Sequence, residues 1–119
     1  MKSALIAGGV LLALIIGVIF NSFFIINATE EFIKEIEEIG EADATEKLVT
    51  VREKFERIRW IITLSVSHDD ILNIEEAFAE AIGAARGNDS AELRIAKSRL
   101  TDALKHLGRL SGINADSIL

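Results

Sequence analysis

Two histidines and nineteen carboxylates are the side chains here with the makings of acid–base or metal chemistry, because the chain has no cysteine and no tyrosine. The one place where they gather is His68, Asp69 and Asp70. An imidazole and two carboxylates can bind a divalent ion, but consecutive residues at a helix start point in different directions. A chelating helix site wants ligands at i and i+3 or i+4, as in HisGluxxHis, and that spacing is absent. The expectation is therefore helix capping, with acids in the first turn at the positive end of the macrodipole. His106 stands alone and is expected in the last turn of the fourth helix, where a protonated imidazole favours the C-terminal end.

Other chemistries fail on the same kind of spacing. A carboxylate-bridged metal centre inside a bundle needs GluxxHis on two helices, and neither histidine has a glutamate three residues before it. Serines and threonines lack a glycine-flanked elbow, and no glycine loop cradles phosphate. Zero cysteines exclude disulfides, thiol catalysis, cysteine lipidation and Cys-based zinc. No catalytic residue, cofactor or metal is expected.

The elements that position everything else begin with Ala4 to Ile26, ALIAGGVLLALIIGVIFNSFFII, which has no charged residue. As a helix it measures roughly 34 Å at 1.5 Å per residue, enough to cross a hydrocarbon core of about 30 Å. It is expected to be a transmembrane anchor, with residues 1–27 as the anchor, residues 28–119 as an extracytoplasmic helical domain, and the bilayer as partner through residues 4–26. A cleaved signal peptide is the lesser alternative. Its apolar core usually runs about 7 to 15 residues, and the one candidate cut, after Ala28, would put Ile26 at the −3 position. Lys2 precedes the segment, whereas Glu30 and Glu31 open the other flank. The positive-inside rule then places the N-terminus in the cytoplasm and the C-terminal domain outside, against the weaker contrast from Lys34 and Lys47.

Within the segment, Gly9, Ala13, Gly17 and Asn21 recur every four residues along one side. Small residues at this spacing let two membrane helices approach, and an Asn on that face can bond across the pair. A homodimer or a membrane protein partner is the functional expectation; chance spacing in a glycine-rich span is the plainer one.

All nineteen acidic residues, and every basic residue except Lys2, lie beyond the segment. The resulting negative charge disfavours nucleic acid phosphates and anionic headgroups as partners. With no proline and helix formers dominant, the class expected is all-α. Phe32, Ile33, Ile36 and Ile39 continue the first helix to about Gly40 as an acidic stalk, with no breaker after the anchor. Asp43 with Glu46 has the form of a capping box for a second helix, about Ala44 to Ser65, carrying Leu48, Val51, Phe55, Ile58 and Ile62. Ser67 with Asp70 opens a third, carrying Ile71, Ile74, Phe78, Ala81 and Ala85 and closed by Gly87. Asp89 with Glu92 opens a fourth, carrying Leu93, Ala96, Leu100, Ala103, Leu107 and Leu110, with Gly112 as its stop. Helices one and three are acidic and helices two and four are basic, so an up-down-up-down order sets opposite fields side by side. The architecture expected is an antiparallel bundle of three to four soluble helices behind an N-terminal transmembrane helix, with the first soluble helix read as running on from the membrane helix.

Trp60, the sole tryptophan, is expected as a core aromatic. The alternative comes from lengths. If the second helix returns toward the membrane, Trp60, Ile61, Leu64 and Val66 reach headgroup level and rest in the interfacial belt.

The tryptophan-bearing helix, the His68-Asp69-Asp70-Ile71 junction, the IleGluGlu step at 74 to 76 and the terminal IleAsnAlaAspSerIleLeu together resemble the small bacterial single-span proteins of domain of unknown function family 4363. That resemblance covers nearly the whole chain and implies the same architecture, with no catalytic residues and no known activity. The leading expectation is a non-enzymatic, membrane-anchored module that works by protein contacts. An exposed apolar stripe on the third or fourth helix would favour it. The alternative is an extracytoplasmic sensor holding a small ligand in a pocket left by Ala81, Ala85, Ala96 and Ala103.

Overall fold

One helix, α1, runs unbroken from Lys2 to Glu37 and fixes the long dimension of the molecule. The computed structural model describes residues 2–64 and 66–118, with extents of 67 × 23 × 22 Å. Three shorter helices follow: α2 (Ala44–Ile62), α3 (His68–Arg86) and α4 (Ser90–Ile118). The fold is all-α, as the composition predicts, with no strand among the described residues. The β-rich run from Trp60 stays helical to Ile62, and Ser65 lies outside the described residues.

The helices close a four-membered ring. α1 packs closely on α2 and α4, α3 packs closely on α2 and α4, and the backbones of the diagonal pairs stand further apart. That is up-down-up-down packing with short connections. The charge alternation follows the same ring: Lys54 on α2 meets Glu35 on α1 at 3.0 Å, and Arg99 on α4 meets Glu80 on α3 at 3.3 Å. Arg59 on α2 stands 2.9 Å from Glu75 on α3, a pair made by proximity rather than an aimed N–H bond. These are surface pairs worth about 0–1 kcal/mol each, so they select neighbours and leave stability to the core.

The predicted stripes form that core, wider than a strict a/d seam. Phe32, Ile36, Leu48, Val51, Phe55, Ile71, Ile74, Phe78 and Leu100 are buried, and so are Ala77, Ile82 and Leu104, which the stripe leaves out. Ile33, Ile58, Ala85, Ala103 and Leu110 pack only half-buried at its edge. Phe55 sits between Phe32, edge-on at 6.5 Å, and Phe78 at 5.7 Å, joining α1, α2 and α3. Such pairs add about 0.5–1.5 kcal/mol beyond the area they bury.

The helix ends correct two expectations, at Asp43 and Gly112, and bear out a third at Gly87, adding the residue that turns the chain. Asp43 makes no cap bond to α2; its carboxylate is drawn instead to Lys47 at 3.1 Å, one turn on. Gly87 caps α3 in ordinary right-handed geometry, and the residue that reverses the chain is Asn88, at φ 54°. The bonds Asp89 N–H to Ala84 O and Asn88 N–H to Ala85 O complete a Schellman motif with Asn88 at its left-handed position. Gly112 does not stop α4, which continues to Ile118, so His106 lies mid-helix rather than in a last turn. Leu119 lies outside the described residues. Capping at the other two starts is as predicted: Glu92 N–H donates to Asp89 Oδ1 at 3.0 Å, and Asp70 N–H donates to Ser67 Oγ at 3.4 Å.

Candidate functional site

The first half of α1 stands clear of the bundle. It is long and apolar enough to cross a membrane by length and composition, and its most apolar stretch is wholly unburied. Full burial starts at Ser22, together with Ile25, Thr29, Phe32 and Ile36, after the half-buried Ile15, Ile19 and Asn21. The acidic stalk expected after the apolar segment is therefore a bundle helix. Its glutamates face outward because its other side is core.

The cause of that early start is α4. An added Cβ on Gly108 would lie 3.1 Å from Thr29 Oγ1, and one on Gly112 would lie 4.0 Å from Ile26 Cδ1. Glycines four apart let α4 press its backbone toward α1, and Ser111 between them is fully buried. Thr29 turns its hydroxyl into its own helix, donating to Ile26 O at 2.9 Å. The sequence carries the signal for this seam in the GlyxxxGly spacing of 108 and 112. The same spacing in the apolar segment reads as a membrane contact, whereas a glycine after a helical stripe reads equally as a stop.

The predicted stripe on α1 divides into parts. Gly9 and Gly17 have nothing within 4 Å of an added Cβ, and Ala13 is exposed. Asn21 is half-buried and already engaged within the chain. Ala13, Gly17 and Asn21 also border a shallow apolar groove whose far wall is Trp60, Ile61 and Leu64 at the end of α2, with Phe20 and Phe24 on the α1 side. Two separately predicted groups thus meet on one surface.

Trp60 is not a core residue: 66% of it is exposed, as is 73% of Leu64, while Ile61 is half-buried. The core positions on α2 go to Phe55 and Ile62, which leaves residue 60 on the outside of the helix. Val66, grouped with them by sequence, turns inward and is buried.

The chemistry-bearing residues disperse. His68 and Asp69 are exposed at the start of α3. Asp70 accepts from the Ser67 hydroxyl at 2.7 Å and lies 3.8 Å from His106 Nε2 on α4. Among the described residues, no three His, Asp or Glu side chains gather as a metal site. Ala81 and Ala96 are buried where α3 and α4 meet, and Ala84 and Ala96 line an open surface furrow between Glu80 and Arg99. Exposed large apolar side chains on α3 and on α4 up to Gly112 are the isolated Leu72 and Ile95, not a stripe.

No protein-family model, curated protein or solved structure matches this chain.

Proposed function

We propose that this chain is a non-enzymatic helical module anchored in a bacterial cell membrane by α1, N-terminus cytoplasmic and bundle outside, that works through protein contacts. The observation that carries this reading is the unbroken α1, apolar and uncovered in its first half and a bundle core helix in its second. Lys2 before the apolar half and Glu30 and Glu31 after it support the orientation. Contact with a second copy or another membrane protein is assigned to the open face at Gly9, Ala13 and Gly17, where backbones can approach closely. A ligand-holding bundle is the weaker reading, because the small side chains of α3 and α4 serve a close helix approach.

The test is a C-terminal topology reporter on the full chain, combined with alkaline extraction and crosslinking in membranes. The expected result is reporter activity outside only, resistance to extraction and a crosslinked species. Release by alkali would overturn the anchor, cytoplasm-only reporter activity the orientation, and absence of any crosslink the contact role.

A further inference from the structure

The free length of α1 does not match a bilayer by itself. From Ala4 to Phe20, exposed except for the half-buried Ile15 and Ile19, the apolar run is about 26 Å of helix, short of a hydrocarbon core of about 30 Å. Extending the run to Phe24, where Phe23 and Phe24 are still exposed, gives about 31 Å and closes the gap. Yet Phe24 already shares a groove with Trp60 and Leu64, and the bundle core has begun at Ser22. A membrane that covers Phe23 and Phe24 therefore meets the end of α2 as well. A stalk would let the bundle stand off; with Ser22 and Ile25 buried, none is available.

We infer that the bundle sits directly on the bilayer, with Trp60 and Leu64 sunk at the headgroup–acyl boundary and lipid acyl chains filling the groove between them and Val18, Phe20 and Phe24. This inference rests on the membrane-anchor reading. Its occupant is bilayer lipid because the groove continues the lipid-facing wall of α1 and its lining is apolar apart from Asn21. An indole with an apolar body and one N–H donor suits a boundary that is dry on one side and wet on the other. Leu64, most of whose surface is exposed, supplies a second apolar side chain at the same end of α2. The anchor thus gains a fixed depth and a fixed tilt, set by a shoulder of the folded domain.

Trp60 is the only tryptophan, so its emission reports on this position alone. The experiment places the full chain in vesicles of phosphatidylcholine and phosphatidylglycerol that carry bromine at shallow or deep acyl positions. The expected result is a blue-shifted emission that loses most of its intensity to shallow bromines and much less to deep ones. Emission typical of water and unquenched by either, from protein that still floats with the vesicles and resists alkali, would overturn the seat and leave the anchor standing. Failure to float would overturn both. Quenching that is absent at high protein density and returns on dilution with lipid would give the groove to a second copy and overturn the lipid assignment. Leu64→Asp should shift Trp60 emission toward the red and weaken shallow quenching while flotation persists; an unchanged signal would also count against the seat.

Discussion

Asn88 holds a left-handed backbone that costs an ordinary L-residue about 1–2 kcal/mol, and it does so one residue after the glycine that sequence would credit with the turn. Asn tolerates this region and Gly tolerates it better. Asn88→Ala is expected to destabilise the bundle by about 1 kcal/mol, whereas Asn88→Gly should be neutral or slightly stabilising. Gly87→Ala should be tolerated, since the new Cβ meets Gly83 O at 3.5 Å, an ordinary contact. Thermal melts of the three variants decide it; a Gly87→Ala variant that loses more than Asn88→Ala would return the turn to Gly87. Asp43 departs from the capping box for an equally local reason. A capping box and an i,i+4 ion pair share the same acid, and Lys47 at the fourth position takes it.

Among the elements, the α1–α4 seam decides where the bundle starts. Glycine in a helix interior costs about 1 kcal/mol relative to Ala, so a glycine kept there has a packing reason or none. At Gly112 the nearest atom to a new Cβ is 4.0 Å away, and Gly112→Ala is expected to stabilise by about 0.5–1 kcal/mol. At Gly108 the 3.1 Å approach to Thr29 Oγ1 opposes that gain, so Gly108→Ala should come out less favourable than Gly112→Ala. Removing the obstacle restores it: in a Thr29→Ala background, Gly108→Ala should recover most of the helix-propensity gain. Denaturant midpoints for this double-mutant cycle check the coupling, and additive effects would show that the two residues do not touch. How much was legible follows the same line. Helix number, order, class and the two working caps came from periodicity and residue type, which act locally. The extension of α4 past Gly112 and the exposure of Trp60 depend on which partner a helix side meets. Glycine spacing alone does not separate a stop from a close approach, and a Trp at the edge of a stripe faces in or out according to where Phe55 and Ile62 go.

For the whole molecule, the central fact is that one unbroken helix is largely uncovered in its first half and a bundle core helix in its second. Its exposed half offers Gly9 and Gly17 with open space beside them, and Leu at both positions should reduce crosslinked dimer in membranes severalfold without altering the melt of the bundle. Unchanged dimer would reduce the apolar half to a tether. A cut after residue 27 at the composition change treats the two halves as separable, but the packing does not respect it. Ile25 is fully buried and Ser22 nearly so, both ahead of that cut. A fragment beginning at Asn21 keeps them, and one beginning at Ala28 loses them and uncovers the α4 side at Gly112. Loss of a fully buried Ile alone is worth about 2–5 kcal/mol, so the shorter fragment should be less stable by at least about 2 kcal/mol. For a domain of this size, that corresponds to a melting point lower by about 8 °C or more. Both fragments should be melted in the same mild detergent, because Phe23, Phe24, Trp60 and Leu64 leave the longer one with an apolar end. Equal melting would mean that the bundle ends at Ala28 and that the turns before it are only a connector. A large difference would place the start of the folded domain inside the apolar segment, where the end of the apolar run and the start of the bundle are the same two turns of helix.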